Sequence, residues 1–350
     1  MAGIVAPCSA SAPNKVIIAG EHSVVWGGRA LAAPIEVDGK RNTVTAKFFE
    51  GGKGIFFKGD LGIARLEGGK KTGTENYFPY LDAIAHAAQK NDFDPGKKAV
   101  RVELGFSGAP KGTGNSASIA AATIASVFGL FLKKLTAEEL FAFVMPAENA
   151  FHGGKASGID PRAVCSGSPF EFWKTFGAEG KETFHFEEKK LAAPDGCVIV
   201  LVDTYQSGKR ESTGDLVNRF GKSHGLYKKP GEIPAGERKK AYGKFDAIVE
   251  KISNEMGAGG NAKKIGKLFN ENQKLLREGG VSSESIDKAI GICGENGSLG
   301  AKLSGAGGNG GAVIALCEKE DLKRIERAVK GAGMAAYAVV FSRRGASLDG

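Results

Sequence analysis

The sequence predicts an α+β protein built from two domains. Strand and helix patterns are interleaved along the 350 residues without a strict strand–helix repeat, which disfavours a doubly wound parallel sheet. A chain of this length usually divides into two domains. We expect the boundary near residues 187–194, so that residues 1–190 and 191–350 form the N- and C-terminal domains.

The predicted elements follow from the apolar spacing. Thr136 and Glu139 have the spacing of a helix capping box. The stretch 225–236 contains two prolines and several lysines and is predicted to be a loop. Strands are expected at 16–18, 41–49, 100–106, within 169–186, and at 197–202, 312–316 and 335–341. Helices are expected at 76–90, 116–132, 136–148, 212–220, 238–252, 262–276, 283–293 and 321–329.

The composition argues against a nucleic-acid-binding, disulfide-rich or membrane-spanning protein. The net charge is +9, but no basic run is long enough for a nucleic-acid-binding arm. The charge indicates a solvated basic surface, and the alternative is a mild positive field that attracts an anionic substrate such as a nucleotide. The five cysteines are scattered without a CxxC pair, which argues against a zinc site or disulfide framework and for a reducing compartment. No membrane-length apolar stretch or signal-peptide pattern is present. We expect a cytoplasmic protein without nucleic-acid or membrane partners.

Charged residues flank the first predicted strand. Lys15 precedes the apolar run 16–19, and Glu21 and His22 follow Gly20. A buried strand does not require charges at its two ends, so these groups either meet solvent or face a site. The arrangement predicts a polar small-molecule site near the N-terminus.

A glycine-rich loop at residues 108–115 leads into an alanine-rich helix. Free N–H groups at a helix start bind anions, and Gly112 and Gly114 would let a phosphate approach closely. Ser116 can cap this helix and offer a hydroxyl to a metal ion. The GxxxxGK[ST] pattern is absent. Residues 112–117 match a loose dinucleotide fingerprint without its acidic partner, so a dinucleotide-dependent oxidoreductase remains a remote alternative.

Three further segments carry polar residues beside glycines. Five of the seven residues from 305 to 311 are glycine, which is typical of a loop that closely surrounds a ligand. Glu148 and His152 are four residues apart at a helix end, and Asp160 follows a Ser-Gly turn. Residues 203–213 bring Lys209, Arg210 and hydroxyl groups to a helix start, where they can hold an anion or carboxylate.

These parts suit phosphoryl transfer. Ser116 and Glu148 offer the hard oxygen ligands that Mg²⁺ prefers. Asp160 can orient or deprotonate an attacking hydroxyl. Lys15 can stabilise the resulting charge and keep that aspartate ionised.

The same segments, in this order, resemble the motifs of the GHMP kinase superfamily, which includes the galactokinases, homoserine kinases, mevalonate kinases and phosphomevalonate kinases. Residues 11–25 are similar to its motif SAPGKxxxxGEHxVV and residues 302–311 to K(L/M)TGAGGGG. Residues 152–160 resemble HGxPSG(I/V)D, and residues 209–213 resemble its basic-Ser/Thr segment. The segments at 11–25 and 152–160 are most like those of the mevalonate kinases.

The resemblance implies a ribosomal-protein-S5-like N-terminal domain, a ferredoxin-like C-terminal domain and a cleft between them. It implies ATP- and Mg²⁺-dependent phosphorylation of the C5 hydroxyl of mevalonate, a step of isoprenoid precursor synthesis, and it suggests a homodimer. By matched position, the catalytic residues are Asp160 and Lys15, and the metal ligands are Ser116 and Glu148. The implied phosphate-binding residues are Lys111, Gly112, Thr113, Gly114, Asn115, Ser116 and Ala117. The implied substrate contacts are Glu21, His22, His152, Ser157, Gly158, Thr213, Ser304, Gly305 and Ala306.

The chain departs from the family motifs at four positions. Asn14 stands where the motif has glycine, Asn115 where it has the first serine of PxGxGLGSSA, and Asn309 where it has a glycine; Gly154 is an additional residue. An amide such as that of Asn115 can still donate to a phosphate. The alternatives are a sibling kinase acting on phosphomevalonate, the 3-hydroxyl of mevalonate or a sugar, and a catalytically silent nucleotide-binding relative.

Overall fold

The computed structural model describes residues 6–49, 52–152, 156–177, 181–205, 211–257 and 259–349. Within these ranges, no helix is long and apolar enough to cross a membrane. The strands are β1 (Cys8–Ala12), β2 (Asn14–Ala19), β3 (Arg29–Val37), β4 (Asn42–Phe49), β5 (Ile55–Gly59), β6 (Gly62–Glu67), β7 (Lys70–Gly73), β8 (Ala99–Gly105), β9 (Phe170–Phe176), β10 (Glu182–Glu188), β11 (Cys197–Asp203), β12 (Ser298–Ser304), β13 (Ala312–Glu318), β14 (Ala335–Phe341) and β15 (Ser347–Leu348). The helices are α1 (Phe78–Gln89), α2 (Asn115–Gly129), α3 (Ala137–Phe151), α4 (Ile159–Ser166), α5 (Thr213–Ser223), α6 (Ala235–Gly257), α7 (Ala262–Glu278), α8 (Glu284–Glu295) and α9 (Leu322–Gly331).

One sheet has seven strands in the order β15-β1-β4-β8-β5-β6-β7. Its pairs are antiparallel except for β5 with β8. Helix α2 packs between this sheet and the helices α1 and α3, and every residue from 117 to 129 is buried. Small side chains, mostly alanine together with the buried Ser118, Thr123 and Ser126, allow this close packing on all sides.

The second sheet has the path β10-β9-β3-β14-β11-β13-β12, with β2 paired to β3 off this path. It therefore combines strands from both sides of residue 190, and β15 from the end of the chain pairs with β1. The division at 190/191 stays a prediction, and the backbone hydrogen bonds that cross it join the two halves closely.

Each predicted helix and strand coincides with an element of the structure, with ends shifted by a few residues. The capping box is confirmed: Thr136 Oγ1 accepts from Glu139 N at 3.3 Å, and Glu139 Oε2 accepts from Thr136 N at 2.8 Å. The predicted loop 225–236 contains a short 3-10 turn at Pro230–Glu232.

Several elements are not predicted by the sequence patterns, namely β1, β3, β5, β6, β7, β12, β15 and α4. Strand β3 is rich in alanine and contains Pro34, and both residue types are uncommon in strands. Strand β12 contains Gly300 and Lys302, which hide its apolar pattern. Both strands form because their neighbours enclose them, since nearly all of their residues are buried.

Helix α7 lies directly on β12 through two glycines. A Cβ on Gly300 would lie 1.9 Å from the carbonyl oxygen of Gly266, and a Cβ on Gly266 would lie 2.3 Å from that of Leu299. These backbones touch where any side chain would separate them. This contact determines how close β12 lies to α7. Strand β12 carries Lys302 and Ser304, which belong to the site described below.

We predict that Gly300→Ala lowers the free energy of unfolding by about 2–3 kcal/mol, because the new methyl group overpacks the α7–β12 contact. Urea unfolding followed by tryptophan fluorescence measures the change. Gly291→Ala is the matched control: Gly291 is an exposed position of α8 with no atom within 4 Å of a built Cβ. That variant should gain about 0.5–1 kcal/mol. Equal stability of the two variants would contradict the proposed contact.

Candidate active site

Lys15 and Asp160 form a partly enclosed ion pair. Lys15 Nζ lies 3.1 Å from Asp160 Oδ1, with side-chain exposures of 5% and 25%. Lys15 belongs to β2, and Asp160 lies in the first turn of α4. The chain enters α4 through Gly158, whose φ of 79° is readily adopted only by glycine. A carboxylate in the first turn is also stabilised by the helix dipole.

The glycine-rich loop lies against this ion pair. Gly114 precedes α2 with a φ of 73°, and a Cβ there would lie 2.9 Å from Lys15 Cγ and 3.3 Å from Asp160 Oδ2. The backbone N–H of Lys15 donates to Thr113 O at 2.8 Å. Only glycine lets the loop come this close, so the anion-binding helix end and the ion pair share one site.

The start of α2 differs in one respect from the sequence interpretation. The helix begins at Asn115, its cap residue is Gly114, and no side chain caps it. The interpretation of Ser116 as the helix cap is therefore wrong, because Ser116 is already the second residue of the helix. Without a capping side chain, the first-turn N–H groups remain available to an anion.

The polar side chains of the loop are used to hold its shape. Thr113 Oγ1 donates to Pro110 O at 2.7 Å. Asn115 Nδ2 donates to Ala109 O at 3.0 Å and to Pro110 O at 3.2 Å. In this structure the Asn115 amide donates to backbone carbonyls of its own loop, and its donation to a phosphate stays a prediction. Lys111 is exposed, with Nζ 5.5 Å from the centre of the Tyr205 ring.

Glu148 lies near the ion pair in a buried position. Its side chain is 1% exposed, and Oε2 lies 3.3 Å from His152 Nε2. Oε1 is buried and has no hydrogen-bond partner among the residues that the structure describes. The hydrogen bond with Glu148 raises the pKa of His152, and the charges of Asp160 and Lys15 also act on that imidazole. The two pairs therefore belong to one electrostatic environment.

These residues fit a Mg²⁺ ion. Mg²⁺ usually takes one or two protein oxygen ligands and completes its shell with water and phosphate oxygens. The unpartnered Oε1 of Glu148 is a suitable ligand, and Ser116 supplies a hydroxyl in the first turn of α2. No group of three His, Cys, Asp or Glu side chains in the described ranges could hold a metal ion by itself.

Glu21 and Lys302 form a second, fully enclosed ion pair. Lys302 Nζ contacts Glu21 Oε1, both side chains are 0% exposed, and Asn272 Nδ2 donates to Glu21 Oε2 at 3.3 Å. Burial raises the pKa of Glu21 and lowers that of Lys302, while each charge opposes the shift of the other. In this structure, Glu21 joins the N-terminal segment to β12, and its role as a substrate contact stays a prediction. The sequence signal for Lys302 is its place at the start of the glycine-rich segment 302–311.

His22 contacts the second glycine-rich loop, residues 305–311. Its Nε2 lies 2.8 Å from Ala306 O, so Nε2 carries the hydrogen and Nδ1 is the free acceptor. Nδ1 is buried and has no partner within the described part of the chain. The ring stacks on Phe220 at 5.4 Å, and the φ of 58° is uncommon for a residue other than glycine. Burial lowers the pKa of His22 to about 4, which makes the ring neutral near pH 7.

The second glycine-rich loop adjoins both β2 and the first glycine-rich loop. We call the first one, residues 108–115, the phosphate loop after its predicted ligand. Ser304 Oγ donates to Ile17 O and accepts from Ile17 N, both at 3.0 Å. A Cβ on Gly305 would lie 3.8 Å from Gly112 O. The two glycine-rich loops are therefore neighbours, as the phosphoryl-transfer hypothesis requires.

The remaining predicted residues lie at the edges of this arrangement. Ser157 Oγ accepts from Ile159 N at 3.4 Å, just before α4. Thr213 is the exposed first residue of α5, the helix whose Phe220 stacks on His22. Lys209, Arg210 and the additional Gly154 lie outside the described residues.

Two family models match the chain. Residues 80–168 match the family model described as the GHMP kinases N terminal domain, and residues 239–335 match the one described as GHMP kinases C terminal. These matches exclude the oxidoreductase alternative, because the dinucleotide-like loop lies inside the N-terminal kinase match.

Two curated relatives are similar over nearly the whole chain. The mevalonate kinase of Pyrococcus horikoshii is 31% identical, with 97% of each chain aligned. That of Thermococcus sibiricus is 30% identical, covering 97% of this chain and 98% of the relative.

Solved structures share the fold. That of L. major mevalonate kinase in complex with R-mevalonate has a TM-score of 0.74 and 22% identity, covering 99% of this chain and 98% of that chain. The Methanococcus jannaschii mevalonate kinase has a TM-score of 0.71 and 23% identity, covering 97% and 99%. The predicted two-part GHMP kinase fold is confirmed. The chain belongs to the mevalonate kinase family of the GHMP kinases.

Proposed function

We propose that the protein transfers the γ-phosphoryl group of ATP to the C5 hydroxyl of mevalonate. The observation that carries this proposal is the ion pair of Lys15 and Asp160, 3.1 Å apart, against the glycine-capped N-terminus of α2. It combines a proton acceptor, a cation and an anion-binding helix end in one site. Similarity to curated mevalonate kinases over 97% of the chain supports mevalonate as the acceptor.

The nucleotide phosphates would bind at the start of α2. The uncapped first-turn N–H groups attract negative charge, and Gly112 and Gly114 allow close approach. Lys111 is exposed on the same loop and adds a positive charge. Thr113 and Asn115 contribute by holding the loop through their hydrogen bonds to backbone carbonyls.

Ser116 and Glu148 would hold Mg²⁺ together with the phosphates. When bound, the ion neutralises charge that develops on the phosphate oxygens. The buried, unpartnered Oε1 of Glu148 supports this role.

Asp160 orients the acceptor hydroxyl and accepts its proton as the oxygen attacks the γ-phosphorus. Its Oδ1 is engaged by Lys15, and Oδ2 faces the Gly114 side of the site. The carboxylate of Asp160 acts as the base, and the Lys15 cation lies beside it. The same cation balances the charge on the attacking oxygen.

The acceptor would bind beside His22 and the segment 304–306. In the neutral ring of His22, Nδ1 can accept a hydrogen bond from a hydroxyl group of the substrate. Nε2 donates to Ala306 O. Glu21 holds Lys302, which lies two residues before this segment, through their ion pair. A neutral histidine avoids placing a charge at a position where only hydrogen bonding is needed.

We predict ADP release with mevalonate and much slower release with phosphomevalonate, homoserine or galactose. A coupled assay measures turnover, and ³¹P and ¹³C NMR identify the phosphorylated hydroxyl. The expected product is 5-phosphomevalonate. A faster reaction with another acceptor, or phosphate on the 3-hydroxyl, would identify a sibling kinase, and no turnover on any acceptor would favour a silent relative.

We predict that Asp160→Asn lowers kcat by about 10²–10⁴-fold, because the amide cannot accept the hydroxyl proton. ADP binding should change little, since the side chain keeps its shape, while thermal stability should fall because Lys15, which is 5% exposed, loses its ion pair. Asp82→Asn, an exposed position of α1, is the control and should retain full turnover. Near-normal kcat in Asp160→Asn would remove this residue from the mechanism.

We predict that His22 contributes stability at neutral pH that is lost in acid. Its folded pKa of about 4 lies below the ordinary 6.5, so the unfolded chain binds the proton first. The contribution is complete above pH 6.5, falls as the pH drops through about 4, and amounts to about 3 kcal/mol. Urea unfolding at pH 7.5 and pH 4 measures it.

His22→Asn tolerates the positive φ and should lose less stability than the wild type between these two pH values. His86→Asn, at an exposed position of α1, is the control and should follow the wild-type curve. If His22→Asn also follows that curve, the neutral buried state assigned to His22 is wrong.

A further inference from the structure

Two of the departures from the family motifs lie in contact with each other. Asn14 belongs to β2 and Asn115 opens α2, yet Asn14 Nδ2 donates to Asn115 Oδ1 at 2.7 Å. Asn14 is 0% exposed. Neither residue follows the motif pattern, and the structure joins these two amides directly.

The surrounding carbonyls determine the orientation of both amides. Asn115 faces the carbonyl oxygens of Ala109 and Pro110 at 3.0 and 3.2 Å, so its Nδ2 must lie on that side. Its Oδ1 then faces Asn14, which must present Nδ2. Asn14 Nδ2 also lies 3.3 Å from both O and Oγ1 of Thr113. The pair therefore bridges β2 to both sides of the phosphate loop.

Further hydrogen bonds hold Ser107, the residue just before the phosphate loop. Ser107 Oγ donates to Asn14 Oδ1 at 3.4 Å and accepts from Ala109 N at 3.2 Å. Ser107 N donates to Asn42 Oδ1 at 2.9 Å. Each end of the loop is thus held by an amide side chain in the protein interior.

This network adjoins the catalytic ion pair. Asn14 directly precedes Lys15, whose N–H donates to Thr113 O at 2.8 Å. Gly114 lies between Thr113 and Asn115 and closely approaches both Lys15 and Asp160. A shift of either amide would change the distance between the phosphate loop and the ion pair.

We propose that Asn14 and Asn115 are a coupled pair of positioning residues that hold the phosphate loop in its nucleotide-binding shape. The inference rests on the proposed function only in assigning nucleotide phosphates to this loop. Replacing Asn14 removes the donor to Asn115 Oδ1, and replacing Asn115 leaves Asn14 Nδ2 with only its longer contacts to Thr113. Each single replacement therefore costs more than its share of losing the pair together. The two departures therefore compensate each other.

A double-mutant cycle with the residues of the family motif tests the coupling. The variants are Asn14→Gly, Asn115→Ser and the double replacement. ADP binding is measured by calorimetry without any acceptor, and kcat and both KM values are measured in the full reaction.

Each single variant should weaken ADP binding and raise the KM for ATP by about tenfold, with less than about a twofold change in the KM for the acceptor. If the two sites were independent, the losses in ADP affinity of the single variants would multiply in the double variant. The double variant should instead bind ADP at least about fivefold more tightly than that product predicts. A purely structural role would instead lower the melting temperature and change both KM values together.

Asn91→Ser is the matched control, since Asn91 donates to Ala87 O at the end of α1, away from the loop. It should leave ADP binding unchanged. If Asn14→Gly does not fold, a cycle with Asn14→Ser, which keeps one donor, measures the same coupling. Multiplicative single effects, or single variants with wild-type ADP binding, would overturn the proposal.

The outcome is separable from that of the proposed function. A coupled cycle in a protein that does not phosphorylate mevalonate leaves the inference standing and removes the acceptor assignment. An uncoupled cycle in an active mevalonate kinase removes only the inference. A wild-type chain that binds no ADP overturns both.

Discussion

The buried ion pair of Glu21 and Lys302 is the interaction on which the site depends. It joins the segment after β2 to β12 across almost the whole chain, and both side chains are fully enclosed. Two charges removed from water are tolerated only with good mutual geometry and further hydrogen bonds, which Asn272 and the Leu303 carbonyl supply. Loss of one partner would leave an uncompensated charge in the interior. The pair therefore fixes the segment after β2 on β12, the strand that leads into the second glycine-rich loop.

The phosphate loop separates two tasks between side chains and backbone. Thr113 and Asn115 direct their polar groups inward to carbonyls of the same loop. The N–H groups at the start of α2 are left without a capping side chain. A loop that is held from inside can present these donors without reorganising when an anion arrives, which is the basis of electrostatic preorganisation.

Burial also sets the charge state of His22. His22 is enclosed, stacked on Phe220 and held by Ala306 O, so it remains neutral and offers one nitrogen as an acceptor. Lys15 and Asp160 remain paired in a partly open position. The two segments therefore differ in character, since one carries a neutral imidazole and the other a charged pair.

The sequence by itself determined the local elements and the chemistry of the short segments. Apolar spacing depends on neighbours two to four residues away, so the helices and the regular strands could be predicted, as could the glycine loops and the kinase family. It did not reveal β3 and β12, because alanine, proline, glycine and lysine obscure the strand pattern. The motifs already predicted that Lys15 acts together with Asp160, and the structure places the two side chains 3.1 Å apart. Only the tertiary structure decided that Glu21 is paired with Lys302 and that Asn14 joins Asn115. These partners are far apart along the chain, and their contact depends on how the sheets and helices pack, which no local pattern records.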